Sequence, residues 1–329
     1  MREIRVASIQ PLNQEHLAPF EGERDRAQGR EKVAANLEMA VTLLSRAGSL
    51  GCDIACYPED IQGIAHYGYY RDDLELFSGF VERVPGPASE RIAAVARQHH
   101  MHVVFGTYAR EDDGVYNTAV LMGREGKIIG TYRKVQLPGA ERWEVRAGDG
   151  FPVFEADFGV VGMLICYDIM FPEPARALAL NGAEVLFNPT MGYHTQYQCH
   201  DNGLLRVRMR ALDNFVPVVV SLCGQGSVIV DSDGTVLAQA RAAKEEVITA
   251  AIDLDATPMD HSQWEILTGT ADVKARFFQE RRPQLYRDLV APHPPVLARY
   301  TGEGKRLISS PEEIRAAYEE IRRRWSPAP

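Results

Sequence analysis

The feature that most constrains this chain is a pattern stated twice. Short β-rich apolar runs alternate with stretches of helical periodicity, and each half of the chain closes on a hairpin. In the first half, residues 4–9, 54–57 and 103–107 read as strands and 33–47 and 89–98 as helices, before a hairpin of 118–122 with 128–132 turned at Glu125-Gly126. The second half gives strands 160–165, 185–187 and 217–221, helices 174–181 and 204–213, and a hairpin of 227–230 with 236–238 turned at Asp233-Gly234. Alternation of this kind implies an α/β protein. Two halves that each end in a hairpin imply two similar sheets. If helices cover one face of each sheet, the other apolar faces must be buried on one another. The expected architecture is a four-layer α-β-β-α sandwich.

Two stretches stand outside the pattern. Residues 13–30 are polar and patternless and read as a long surface loop, a lid or an interface arm. Beyond Ile252 the pattern loosens, and a Pro-rich segment at 291–295 leads to a final helix. There Ser310-Pro311-Glu312-Glu313 forms a capping box, and Ile314, Ala317, Tyr318, Ile321 and Trp325 make one apolar stripe. Such a stripe has to dock, on the chain's own surface or on a second subunit, and a homo-oligomer is expected. The organisation read from this is one domain over 1–290 and a C-terminal extension over 291–329.

Composition excludes several classes of function. A formal net charge of −9 is unsuited to phosphate neutralisation, and the one basic run, Arg322-Arg323-Arg324, reads as a solvated helix face, so no nucleic-acid partner is expected. No apolar run approaches the roughly 20 residues that span a bilayer, which excludes a membrane partner of that kind. The first residues, MREIRVASIQ, lack the apolar stretch and cleavage site of a signal peptide, so a cytoplasmic location is expected. Five cysteines, an odd number, argue against a disulfide framework, and Cys52 and Cys56 lack zinc-knuckle spacing. No metal and no organic cofactor is expected.

Three strand ends carry candidate chemistry. The apolar run Val161 to Ile165 ends on Cys166-Tyr167-Asp168, at the edge of a sheet where ligands bind and where a thiol opens to a pocket. An ordinary thiol is only a few per cent ionised at neutral pH, so a nucleophilic cysteine needs a base or a cation beside it. The nine histidines do not fall at strand ends: His99, His100 and His102 precede a strand, and His194 and His200 lie in a loop. Other strand ends supply different groups. Tyr57-Pro58-Glu59 places a carboxylate past one strand, and Arg133-Lys134 places an ammonium past the first hairpin. Taken singly, each charge is more simply a solvated one; with Cys166 they form a Glu, Lys, Cys set from three separate units.

These segments resemble the signature blocks of the nitrilase superfamily of carbon-nitrogen hydrolases. The matching residues are Tyr57-Pro58-Glu59, Arg133-Lys134 with Leu137-Pro138, and Cys166-Tyr167-Asp168 with Phe171-Pro172-Glu173, supported downstream by Arg210-Ala211 with Asn214 and by Gly226-Ser227. The likeness spans Ile4 to Leu254. It implies the four-layer sandwich and a catalytic triad of Glu59, Lys134 and Cys166. Glu59 would be the general base, and Lys134 with the backbone N–H of Tyr167 would face the oxyanion. A thioester would form on Cys166 and be hydrolysed by water. The resemblance also implies a second glutamate after the lysine. Glu141 matches it best and Glu144 is the runner-up. Asp168 reads as structural, anchoring the nucleophile turn through backbone hydrogen bonds.

The block after Lys134 is similar to nitrile-hydrolysing members. Tyr167-Asp168, the run 247–255 and Arg282-Pro283-Gln284-Leu285-Tyr286 lean toward amidases and carbamoylases. The expected substrate is therefore a small-molecule amide or N-carbamoyl compound, with a nitrile second. Two other readings compete. One is a catalytically silent scaffold of the same fold, against which all three triad positions are filled. The other is a doubly wound nucleotide-binding protein, against which Gly224-Gln225-Gly226 precedes a strand rather than a helix.

Overall fold

In the computed structural model the described residues are 2–12, 26–65, 74–139, 141–191, 200–256, 265–292 and 294–300, with six isolated positions between 310 and 320. They form two compact units, Met1–Ala256 and Thr257–Pro329.

The first unit holds two six-stranded sheets. One has the order β12-β1-β2-β3-β4-β5, from Glu246–Asp253, Glu3–Gln10, Ile54–Cys56, His102–Glu111, Gly114–Met122 and Ile128–Arg133. The other has the order β11-β10-β9-β8-β7-β6, from Val236–Gln239, Val228–Val230, Val218–Leu222, Val185–Thr190, Gly159–Met163 and Val153–Ala156. Side-chain alternation explains why they stack. On β1, Ile4 and Val6 point one way, into a core they share with Val104 and Leu121 of their own sheet and Met163, Phe187 and Val219 of the other. Ala7 and Ile9 point the opposite way, toward Leu43 and Leu44 of helix α1 (Arg26–Ser49) and Ile92 and Ala96 of α3 (Pro87–His99), with the short α2 (Leu74–Phe80) between these helices in the chain. After α4 (Glu141–Glu144), the outer face of the second sheet is met by α5 (Pro172–Leu180) and α6 (His200–Asn214). This is the α-β-β-α sandwich expected from the sequence.

The differences are informative. α1 begins at Arg26, so residues 26–30 are helix and not part of a loop, while 13–25 lie outside the described residues. The first turns of α1, from Arg26 to Lys32, are polar but for Ala27 and contain Gly29, so they carry no apolar period to read. β12 closes the first sheet by pairing antiparallel with β1 from Glu3↔Asp253 to Gln10↔Glu246, so the last strand of the unit returns to the first. β3 and β4 form their own hairpin, ending at Glu111↔Gly114.

Among its described residues the second unit contains α7 (Glu265–Thr268), α8 (Val273–Gln279) and three short 3-10 turns. Asp272 caps α8 by accepting from Lys274 N at 2.7 Å and Ala275 N at 3.1 Å. The capping box forms as its spacing predicts: Ser310 N donates to Glu313 Oε2 and Glu313 N to Ser310 Oγ. Of the apolar stripe, Ile314, Tyr318, Ile321 and Trp325 lie outside the described residues.

Candidate active site

The carboxylate is delivered by the way β2 ends. Tyr57 N still bonds Val104 O across to β3, but Pro58 has no N–H to continue the ladder, and its carbonyl accepts from Gly106 N instead. Gly106 lets the chain pass close by, since a Cβ there would lie 2.3–2.4 Å from the main chain of Glu59. Asp60 then closes the turn, accepting from Gly63 N at 3.0 Å and Ala65 N at 2.7 Å. Glu59 is left buried just past the end of β2.

Lys134 follows β5 and is pinned through its main chain, its N–H to Asn117 O and its carbonyl to Gly148 N, both at 2.8 Å. Its Nζ lies 2.7 Å from Glu59 Oε1 and 2.7 Å from Glu141 Oε2. Glu141 opens α4, held by its N–H to Pro138 O. Asn117 of β4, unremarked in the sequence, completes the group: its Nδ2 donates to Glu59 Oε1 at 2.6 Å and to Glu141 Oε1 at 2.5 Å. Met191 N donates to Glu59 Oε2 at 3.0 Å. Glu59, Asn117, Lys134 and Glu141 are all buried.

Cys166 stands just past β7. The strand ends at Met163, and Cys166 opens a 3-10 turn, Cys166–Met170, with φ of 45°, the left-handed region that a non-glycine residue adopts at a cost. Asp168 holds this turn, accepting from Ile165 N at 3.0 Å, Tyr132 Oη at 2.7 Å and Gln136 N at 2.8 Å. Cys166 is half-buried, and Glu59, Lys134 and Glu141 are the charged groups that act on its thiol. Tyr167 is the second residue of the turn, so its N–H belongs to the set that a helix start leaves without an internal partner.

The electrostatics follow from two carboxylates and one ammonium in a buried space. Burial pushes the Cys166 thiol well above its ordinary range, Glu59 and Glu141 add to this, and Lys134 opposes it. The resting sulfur is therefore a thiol with a base against it. Burial works against the Lys134 ammonium, but Glu141 and Glu59 outweigh it and hold the lysine protonated. Burial raises Glu141 to about 7, with Lys134 and Asn117 pulling it down and Glu59 up.

The structure thus brings Glu59, Lys134, Glu141 and Cys166 together, with Tyr167 beside the sulfur. Glu144 has a side chain outside the described set, as does His194. His102 is elsewhere: it lies buried in β3, its Nε2 3.8 Å from Asp157 and its ring edge-on to Phe158. Gly224-Gln225-Gly226 serves the fold, since Gln10 Oε1 accepts from Gly226 N and Ser227 N. Among the described residues no group of three His, Cys, Asp or Glu side chains could hold a metal ion. Nor does any described helix have the length and apolarity to cross a membrane.

Residues 5–258 match the family model described as carbon-nitrogen hydrolase. The chain is 32% identical over 221 residues to a probable nitrilase from Schizosaccharomyces pombe, covering 63% of this chain and 76% of that one. It is also 32% identical over 240 residues to an omega-amidase from Xenopus tropicalis, covering 67% of this chain and 83% of that one. Among solved structures, a carbon-nitrogen hydrolase from Helicobacter pylori superimposes with a TM-score of 0.66 at 22% identity, covering 88% of this chain and 98% of that one, which shows the shared fold. The family match runs from β1 past β12 and takes in every residue of the buried cluster around Cys166, and on that ground this chain belongs to the carbon-nitrogen hydrolase family and is an enzyme of that family.

Proposed function

We propose that the chain hydrolyses the C–N bond of a small amide or N-carbamoyl compound, with Cys166 as nucleophile. The observation that carries this reading is the convergence of a thiol, a buried carboxylate and the buried ammonium bonded to that carboxylate, from three strand ends. Cys166 Sγ attacks the carbonyl carbon as its proton passes to Glu59. The oxyanion faces Lys134 and the N–H of Tyr167, donors fixed in place before the reaction begins. Collapse breaks the C–N bond, the amine or ammonia leaves with the proton from Glu59, and a thioester remains on Cys166. Water, deprotonated by Glu59, attacks the thioester and returns the thiol. Glu141, on the far side of Lys134, positions substrate. No step calls on a metal or organic cofactor.

A nitrile is the second reading, favoured by the likeness to a probable nitrilase. Ammonia release from a panel of amides, N-carbamoyl amino acids and nitriles separates the substrate classes. Carbon dioxide accompanies ammonia only from a carbamoyl substrate. Cys166→Ala, with folding intact by circular dichroism, is expected to abolish release; release that survived it would sink the reading.

The same reading takes the protein as a homo-oligomer in the cytoplasm. Leu205, Met209 and Leu212 form an exposed apolar stripe on α6, and light scattering after size exclusion tests the oligomer. Four described cysteines are unpaired, as a reducing compartment keeps them.

A further inference from the structure

One side-chain nitrogen serves both carboxylates of the site. Asn117 Nδ2 lies 2.6 Å from Glu59 Oε1 and 2.5 Å from Glu141 Oε1, while its carbonyl oxygen on the main chain accepts from Lys134 N. Chemistry fixes which way this amide points. Ionised carboxylates only accept, so an amide oxygen turned toward them would set three acceptors face to face. With nitrogen toward the carboxylates, Asn117 Oδ1 is left buried without a partner among the described residues. That is a costly arrangement, and a residue that merely filled space on β4 would not need it.

Counting acceptors shows what the arrangement does. Glu59 Oε1 takes Lys134 Nζ and Asn117 Nδ2, and Oε2 takes Met191 N. Three of the four lone pairs on Glu59 are so occupied, and one on Oε2 is left. Glu141 has one donor on each oxygen. We propose that Asn117 is a positioning residue of the hydrolysis, whose amide nitrogen holds Glu59 and Glu141 as two separate acceptors and leaves one lone pair, on Glu59, for the thiol proton. The proposal rests on the hydrolase reading above. Without that nitrogen, the two Oε1 atoms face each other beside a single ammonium, and a shared proton between them becomes the favoured state. A base that already holds a proton cannot take one from sulfur. The other titratable groups facing the pair are Lys134 and Cys166, with Asp60 and Cys223 behind Glu59.

The test uses full-length Asn117→Ala and Asn117→Leu with two readouts. One is kcat and KM on a substrate found in the panel. The other is the pH profile of Cys166 alkylation by iodoacetamide, followed by mass spectrometry, which needs no substrate. Asn117→Ala is expected to lower kcat about 100-fold with KM changed by less than about 3-fold. The acid limb of alkylation should move up by about one pH unit, because removing a donor from an ionised carboxylate raises the pH at which it takes a proton. Asn117→Asp keeps the shape but replaces donors by acceptors. Because a third buried carboxylate would raise the limb in either case, the space-filling role is tested by Asn117→Leu, which keeps volume without a donor: space filling predicts an unmoved limb, and proton sorting the upward move of the alanine variant. Folded variants with an unmoved limb overturn the proposal. Should neither variant fold, Asn117→Ser retains one hydroxyl donor; a partial upward move supports the proposal and an unmoved limb rejects it. A limb that moves in variants of an enzyme that hydrolyses nothing in the panel keeps the role of Asn117 and removes the substrate classes proposed above. Hydrolysis with an unmoved limb does the reverse.

Discussion

A single carboxylate ties the two halves of the candidate site together. Asp168 accepts from Tyr132 and Gln136, which flank Lys134 on either side in sequence, and from Ile165, which precedes Cys166. The ammonium and the sulfur are therefore held in register through one side chain, and the left-handed backbone at Cys166 is held by the same bonds. Asp168→Asn turns one of these acceptors into a donor aimed at an N–H or a hydroxyl. Ammonia release should fall about 10- to 100-fold, the penalty for a displacement on the order of 1 Å among reacting groups. A steady-state comparison with wild type checks it, and equal kcat/KM in the two proteins would show that Asp168 does not set this register.

At the scale of elements, β3 does more than extend a sheet. It receives the chain after β2 has run out of strand: Tyr57 N bonds Val104 O, Gly106 N bonds Pro58 O and Ile61 N bonds Gly106 O. The absent side chain of Gly106 makes room for the main chain of Glu59. Backbone cannot swing aside as a flexible side chain can, so Gly106→Ala must push the Glu59 turn away from Lys134. The expected cost is about 1–3 kcal/mol of stability and about 100-fold in kcat/KM. Chemical denaturation and steady-state kinetics read the two effects separately. An alanine variant as active as wild type would mean the turn has slack.

Across the whole molecule, a polar seam fixes how the sheets sit on each other near the site. Ser8 Oγ donates to Val220 O at 2.7 Å, and Ser221 Oγ donates to Cys56 O at 2.8 Å, joining β1, β2 and β9 beneath the turns that carry the chemistry. The same interior sets a pH dependence. Burial raises Asp60 from 3.8 to about 7, with Glu59 adding to the rise, against the pull of its backbone donors. Folded protein thus keeps a proton that the unfolded chain sheds near pH 4, so stability falls as pH rises from about 4 to 7. At ~1.4 kcal/mol per unit, the fall attributable to Asp60 is on the order of 4 kcal/mol. Asp60→Asn cannot titrate, and its Tm should drop less between pH 5 and pH 8 than that of wild type. Calorimetry at the two pH values decides this, and parallel drops would refute it.

How much could be read without coordinates follows from the same interactions. The layered fold and the strand ends were legible, because alternation of apolar side chains is local and survives in the linear order, while Glu59, Lys134 and Cys166 stood out through the resemblance of the Pro-Glu, Arg-Lys and Cys-Tyr-Asp segments to the family's blocks. The capping box at Ser310 and Glu313 was legible for the same reason. Asn117 was not, since an asparagine inside a strand declares nothing until Glu59 and Glu141, 58 and 24 residues away, close on its nitrogen. The return of β12 to β1 was hidden likewise, because a pairing across the full length of the unit leaves no local mark. Sequence by itself determined which groups are available and roughly which edge of a sheet each reaches. Only the tertiary structure decided that they share one buried space, because desolvation and hydrogen bonding depend on distance through space, and it is these that keep Cys166 a thiol, Lys134 an ammonium and Glu59 within reach of the proton.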